Sequence, residues 1–244
     1  MYLHKIFKPK KEYKLIRLGK KNDGGYLVGT KTINQSQFLI SFGIRDDWSF
    51  EKDFLKRNYI KALCFDSENI LDILKKKLKL DLSFFYKLNI YKIIKDIVAF
   101  YDYYRFKKKT KIIQKTISTG DLNHIISEIN SDKIFLKIDI ESAEYCILDE
   151  IIQNQERIIG LVIEFHNIQK NMNILTNFIK KFKLEITHIH PNNYSELDKN
   201  GNPQIIEMSF EKNPQIIGSQ KIFPNSLDMK NWKRGPEIEL NFYE

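Results

Sequence analysis

LKIDIESAEYCIL, Leu136 to Leu148, is the stretch of this 244-residue chain that decides its fold. Its first half belongs to a β-branched and aliphatic run that reads as a strand over Ile134–Ile140. Its second half changes period, and Ala143, Cys146, Ile147 and Ile151 recur as one face of a helix. Asp139 and Glu141 therefore stand at the carboxyl end of a strand. They point the same way because they are two positions apart. Ser142 stands where the helix opens and is a residue type that caps one.

The same alternation recurs on both sides. Further strands are expected at Gln37–Phe42, Ile60–Phe65, Leu161–Phe165, Glu185–His190 and Ile205–Phe210, with another at Lys111–Ile117. Between them lie helical patterns: Phe50, Phe54 and Leu55; then Ile125, Ile126 and Ile129 behind the capping-box spacing of Ser118 and Asp121; then Ile174, Phe178 and Phe182. Alternating strand and helix implies right-handed crossovers and a doubly wound, mostly parallel α/β sheet. The connection from His188 to Ile205 carries Pro191, Asn192, Asn193, Gly201 and Pro203 and no helical period, so the last two strands are expected to be antiparallel.

The length suits one domain over residues 1–244, with a helical insert at about 70–110. There Ile90, Ile93, Ile94, Ile97, Tyr101 and Tyr104 keep helical spacing. The two ends of the chain are expected to pack on the sheet as extensions. The formal net charge is +9, and Ile70 to Lys115 holds thirteen Lys or Arg against four Asp, which equals that excess. Such a patch favours an anionic partner or is a solvated helix face. Nine aromatic residues between Phe84 and Phe106 interleave with it, as a lid over an anionic acceptor, a weak peripheral contact with anionic lipid, a partner contact, or core. No apolar run nears the roughly 20 residues that span a bilayer. The basic start lacks the apolar segment of a secretory signal, and a cytoplasmic location is expected. Cys64 and Cys146 sit in apolar runs without a partner at metal-ligand spacing and are expected to be buried and reduced.

In an open parallel sheet, ligands bind beyond the carboxyl ends of the strands, where the strand order reverses. Three strands end in a polar pair two apart: Asp139 with Glu141, Glu164 with His166, and His188 with His190. One such pair alone is commonly a helix cap or a satisfied structural histidine; three together imply a site. The first strand ends in SFGIRDDWSFE, Ser41 to Glu51, with the single glycine Gly43. The missing Gly-rich fingerprint counts against NAD, FAD and a P-loop. Asp66 closes the second strand, 23 positions after Gly43, at the spacing of an acid that binds ribose hydroxyls; the alternative is an N-cap. A cofactor with a ribose and no pyrophosphate, S-adenosylmethionine, fits this pattern.

LKIDIESAEYCIL closely resembles the LKIDIEGAE signature of FkbM-type methyltransferases. Further segments resemble that family in the right order: NDGGYLV (Asn22 to Val28), SFGIRDDWSFE, CFD (Cys64 to Asp66), VIEFH (Val162 to His166), HIHPNNY (His188 to Tyr194), IEMSF (Ile206 to Phe210) and FPNSLDMKNWKRGPEIELNF (Phe223 to Phe242). Only about 70–109 shows no likeness. The resemblance implies a seven-stranded, Rossmann-like class I methyltransferase sheet and S-adenosylmethionine as donor. It implies O-methylation of a sugar or small anionic metabolite in surface-glycan (polysaccharide) or related biosynthesis. One departure is Ser142, where the signature has Gly.

Expected roles follow. Ser41, Phe42, Gly43 and Ile140 pass the cofactor, and Asp46 or Glu51 receives its amino group. Asp66 holds the ribose, and Asp139 lies by the methyl group. His190 is the first candidate base and His166 the second, with Glu164 beside them. Asn192 and Asn193 orient the acceptor, a small molecule, nucleotide-activated sugar or glycan. Asp23 and Tyr26 close over the site or form a plain turn. Asp139, Glu141, Glu164 and His190 offer a mixed oxygen and nitrogen set for a divalent metal, which no spacing demands. The alternatives are a phosphorylated or phosphoramidate-type acceptor, RNA binding or RNA methylation through the basic insert, and a non-catalytic scaffold. No RNA-binding module is recognisable, and no nucleic-acid partner is expected.

Overall fold

The computed structural model describes residues 1–83, 90–199, 201–219 and 223–244. Seven strands form the central sheet: β1 Phe38–Phe42, β2 Lys61–Asp66, β3 Lys111–Gln114, β4 Ile134–Ile138, β5 Ile158–Phe165, β6 Glu185–Pro191 and β7 Ile206–Glu211. Their order is β3-β2-β1-β4-β5-β7-β6. β7 runs antiparallel to both neighbours and the rest are parallel. This is a doubly wound, mostly parallel Rossmann-like sheet, and each of the seven strands falls where the sequence places it. The chain winds outward from β1 to β3, then returns to β4 on the other side of β1. That reversal opens a crevice between the carboxyl ends of β1 and β4.

The helices are α1 Thr30–Gln35, α2 Ser49–Arg57, α3 Ile70–Ser83, α4 Ile90–Lys107, α5 Asp121–Ser127, α6 Leu148–Gln153 and α7 Ile168–Lys181. Strand periodicity divides the sheet into two unlike faces. Ile40, Leu136, Ile138, Leu161, Ile163, Met208 and Phe210 pack with Ile125, Ile151 and Phe178 of α5, α6 and α7 in one apolar core. The positions between them carry Ser41, Lys137, Glu164, Glu207, Ser209 and Glu211, all buried on the opposite face. That face is also apolar in part, where Leu39 of β1, Cys64 of β2, Phe135 of β4 and Val162 of β5 share a cluster with Phe50 and Phe54 of α2.

An N-terminal hairpin, Leu15–Gly19 paired with Gly25–Gly29, covers the polar part. Ser209 Oγ donates to the Leu27 carbonyl at 2.6 Å, and Gly29 N–H donates to Glu211 Oε1 at 2.6 Å. The C-terminal segment completes the cover: Asn231 Nδ2 donates to Glu207 Oε1 at 2.5 Å. Tyr2–His4 pairs in parallel with Asn241–Tyr243, which ties the ends together.

Several local expectations need correction. The periodic stripe of α4 faces outward: Ile90, Ile94, Ile97, Tyr101 and Tyr104 are exposed, and the helix is held instead by Tyr103 and Phe106 against Trp48. Phe84, Phe85 and Tyr86 lie outside the described residues. After β4 the chain first makes a 3-10 turn, Ala143–Ile147, and only then α6. Ile147 and Ile151 are buried there but Cys146 is exposed, because the tighter turn rotates it off the apolar face; Cys64 is buried as expected. On α7, Leu175 rather than the exposed Ile174 joins Phe178 in the core. Asp121 accepts from Ser118 N–H at 2.8 Å and Ser118 Oγ at 2.9 Å, yet the residue before α5 is Gly120, so only half of the capping box forms. No helix among the described residues is long and apolar enough to cross a membrane.

Candidate functional site

A cleft of about 280 Å³ lies at the reversal point, lined by Gly43 and Arg45 after β1, Phe65 to Glu68 at the end of β2, Lys115 to Ile117 after β3, and Asp139 to Glu141 after β4. A larger depression, about 470 Å³, lies between α2 and α4 and shares none of these residues. The smaller cleft is the candidate, because four strand ends converge on it.

Gly43 has a φ of 77°, and a Cβ there would fall 1.6 Å from the Asp139 carbonyl oxygen. Its N–H donates to Phe65 O at 2.9 Å, and Asp139 N–H donates to Phe42 O at 3.1 Å. The glycine thus lets three strand ends close together. Asp66 is not a helix cap, since α3 opens four residues later with Asn69 Oδ1 accepting from Leu71 N–H at 3.0 Å. Its Oδ2 accepts from Arg45 N–H at 2.7 Å and its Oδ1 from Glu68 N–H at 2.9 Å. Each oxygen keeps a further lone pair for a ligand hydroxyl. Ile140 lines the cleft as expected. Ser41, Phe42 and Glu51 do not: all are fully buried, with Ser41 Oγ donating to Glu51 Oε1 at 2.5 Å. Burial pushes the Glu51 carboxyl up against the pull of Lys137, and the side chain is no part of the cleft lining. Asp46 is drawn away to Lys77 of α3. Arg45, Glu68, Lys115 and Thr116 are cleft residues the sequence reading missed; their position just beyond strand ends was the available signal.

Asp139 also belongs to a second group, deeper in the polar face. Tyr26 of the hairpin places its hydroxyl 3.3 Å from Asp139 Oδ2 and 3.2 Å from Glu164 Oε2. Asn192 Nδ2 lies 3.4 Å from Glu164 Oε1 and 3.5 Å from Asp23 Oδ1. Burial, then the charges of Asp139, Glu207 and Asp23, push the Glu164 carboxyl well above its ordinary range, against the pull of Lys137. Lys137 is the cation of the group. Burial opposes its charge, but Asp139, Glu51 and Glu164 more than restore it. Its Nζ lies 3.5 Å from Asp139 Oδ2 and donates to Gly43 O at 2.5 Å, bracing the end of β1.

His166, at the end of β5, turns its Nε2 toward this group: 3.5 Å from Glu164 Oε1, 3.5 Å from Glu141 Oε2 and 3.9 Å from Asp139 Oδ1. Glu144, fully buried, accepts from His166 backbone N–H at 2.6 Å and lies 3.3 Å from Nδ1. Tyr145 OH donates to His166 O at 2.7 Å. Burial works against the charged ring, but Glu144, Asp139 and Glu141 outweigh it and the ring titrates above its ordinary value. Glu144 and Tyr145 went unassigned in the sequence reading, although both lie in the opening motif.

His190 and His188 do not reach the crevice. His190 is 1% exposed, with Nε2 3.1 Å from Glu237 Oε1 and Nδ1 3.5 Å from Glu207 Oε2. Burial opposes its charge, but Glu207 and Glu237 overcome it and hold the ring protonated up to about 10. His166, not His190, is the histidine that faces Asp139 and Glu164 beside the cleft. His188 Nε2 lies 2.8 Å from Asp228 Oδ1. Asn193 is spent on the C-terminal segment: its Nδ2 donates to Trp232 O and Pro236 O, and its Oδ1 accepts from Trp232 N–H. Ser142 makes no cap bond; at a φ of 80° it accepts through Oγ from Asn167 Nδ2 at 2.6 Å. This left-handed position is where Gly costs least.

No protein-family model matches the chain, and no curated protein does. Solved structures with a similar arrangement include TrmK of M. capricolum in complex with S-adenosyl-homocysteine, at 11% identity and a TM-score of 0.41 over 82% of this chain and 72% of that one. The precorrin-6y C5,15-methyltransferase of Geobacter metallireducens aligns at 9% identity and a TM-score of 0.40 over 75% and 84%. The human methyltransferase 10 domain containing protein aligns at 9% and 0.39 over 72% of each chain. At such identities and TM-scores the likeness says nothing of cofactor or substrate, which have to come from this chain's own side chains.

Proposed function

We propose that this chain is an S-adenosylmethionine-dependent methyltransferase of the FkbM type, acting on an oxygen of a sugar or another small anionic acceptor. The observation that carries the reading is the meeting of Gly43, Asp66 and Asp139 at one crevice, without a Gly-rich phosphate loop. Asp66 receives the ribose hydroxyls on its free lone pairs. Asp139, on the opposite wall, attracts the sulfonium. The acceptor oxygen then approaches from the side of Glu164, His166 and Asn192. Its lone pair forms the new C–O bond as the methyl C–S bond breaks, leaving S-adenosylhomocysteine and one proton. His166 and the carboxylates beside it line the side from which the acceptor approaches, and the proton leaves to solvent.

Calorimetry tests this directly. Saturable binding of S-adenosylmethionine or its demethylated product is expected, and Asp66→Ala should weaken it by about 1.5–3 kcal/mol, tenfold or more. No binding of either compound refutes the reading. A phosphorylated or nucleotide-activated acceptor is favoured by the basic helices, where Lys75, Lys76 and Lys79 of α3 lie together on the surface. The same lysines support RNA as an alternative acceptor, for which affinity must fall steeply with salt.

A further inference from the structure

We propose that Asp139, Glu164 and His166 form a divalent-cation site beside the cofactor cleft. One ligand atom from each lies within 4.8 Å of the others. Two donors each 2.0–2.2 Å from one ion stand at most about 4.4 Å apart, so a contraction of a few tenths of an ångström encloses an ion. The separations of Nε2 from Glu164 Oε1 and Asp139 Oδ1, 3.5 and 3.9 Å, already fall within that limit.

The histidine itself points to a ligand. Its side chain is 8% exposed, and its Nε2 faces three carboxylates, Glu164 and Glu141 at 3.5 Å and Asp139 at 3.9 Å. Glu144 holds Nδ1 and the backbone N–H together, which fixes the ring and presents Nε2 to the carboxylates. A carboxylate behind the far nitrogen is how proteins orient metal-binding imidazoles. Charge points the same way. Asp23, Asp139, Glu164 and Glu207 gather here, and the Lys137 ammonium is shared with the Gly43 carbonyl. Asn231, 6% exposed and bonded to both Asp23 and Glu207, leaves its Oδ1 without a partner among the described residues.

Two carboxylates and one imidazole suit Mn²⁺, a hard ion that takes carboxylate oxygens and accepts a nitrogen ligand. Asp139 lines the cleft with its side chain 29% exposed, so the open coordination positions face the acceptor. An ion there would bind the acceptor oxygen and lower its hydroxyl pKa, with the proton passing to solvent and His166 acting as ligand, not base. That use rests on the methyltransferase reading; ion binding does not.

The test is Mn²⁺ titration of chelator-treated, desalted protein, followed by electron paramagnetic resonance. One Mn²⁺ per chain is expected, weakened at least tenfold by Glu164→Gln and by His166→Ala, and 10–100-fold by the positioning variant Glu144→Gln. Glu156→Gln, on the exposed Lys183 pair, should bind as the parent does. An unchanged circular-dichroism spectrum and cooperative melting show that each variant is folded. No bound Mn²⁺, or equal binding in Glu164→Gln and the parent, overturns the site. Mn²⁺ binding in a protein that binds no S-adenosylmethionine keeps the site and removes only the proposed use.

Discussion

Gly43→Ala should be among the most damaging single-carbon changes in this chain, and Gly120→Ala provides its control. Both glycines have positive φ, 77° and 92°. An alanine at either pays about 1–2 kcal/mol for the left-handed backbone, less about 0.4–1 kcal/mol recovered from the unfolded chain. They part on space. A Cβ at Gly120 meets nothing within 4 Å, whereas one at Gly43 would lie 1.6 Å from Asp139 O and 2.7 Å from Asp139 C. Those are backbone atoms at the end of β4 and cannot rotate away, so the ends of β1 and β4 must separate. Overpacking of this kind adds about 1–3 kcal/mol, for a total of about 1–4.6 kcal/mol against about 0–1.6 kcal/mol at Gly120. At about 2–4 °C per kcal/mol for a chain of this size, the two variants should melt about 2–12 °C apart. Urea unfolding with unchanged m-value would assign the difference to the folded state. Gly43→Ala should also lose affinity for S-adenosylmethionine while still folded, and Gly120→Ala should not. Melting within a degree of each other would refute the close approach of β1 to β4 as the reason for glycine.

The ion pairs of His190 predict a pH signature. Its folded pKa of about 10 lies above the ordinary 6.5, so its contribution is fully present below pH 6.5 and is lost as pH rises toward 10. The limit is about 5 kcal/mol, and His190→Gln should flatten that decline in urea unfolding; equal slopes for parent and variant would count against the pairing. Cys146 is exposed and Cys64 buried, with both thiols held above their ordinary range. Mass spectrometry after iodoacetamide treatment of native protein should find one slow addition, at Cys146; early modification of Cys64 would contradict the core packing of β2. Ser142→Gly should shift stability by no more than about 1 kcal/mol. Relief of about 1–2 kcal/mol at the left-handed position is offset by loss of the Asn167 bond, about 0.5–1.5 kcal/mol, and by the freer unfolded chain. A calorimetric loss well beyond that would mean Asn167 matters more than the backbone.

The seven strands were legible because apolar period and turn residues agree along each of them. The helices were legible in place but less so in orientation. On α4 the apolar stripe and the buried stripe differ, and nothing in the chain alone says that Trp48 is the partner that decides. The lining of the candidate crevice was half legible. Strand ends located Asp66, Asp139, Glu164 and His166, but His190 shares the same i, i+2 signature and points into the C-terminal cover. Its surroundings come from Glu207 and Glu237, far along the chain, and no local pattern reports them. Glu51 failed for a related reason: an acid in the first turn of a helix reads as exposed, and only the packing of α2 on β1 buries it.

The alternation of LKID, VIEFH and IEMSFE was nevertheless present in the sequence, and its meaning is physical. A strand buried on both faces ordinarily reads as continuous apolar residues, and each buried charge costs free energy unless it is paired. Here Lys137, Glu164, Glu207 and Glu211 all face one side and are all buried. A hairpin and a C-terminal segment cover them and supply Tyr26, Gly29 and Asn231 as partners of Glu164, Glu211 and Glu207. Replacing such a layer with aliphatic residues would commonly leave stability equal or better. Within the opening motif the same logic is concentrated. Lys137 braces β1, Asp139 enters the crevice, and Glu144 with Tyr145 fixes His166 on the next strand. Apart from Asp139, these residues act by setting the positions of others. The motif is therefore a clamp joining the ends of β1, β4 and β5, and a change in it should move the geometry of the whole crevice before it changes any single contact with a ligand.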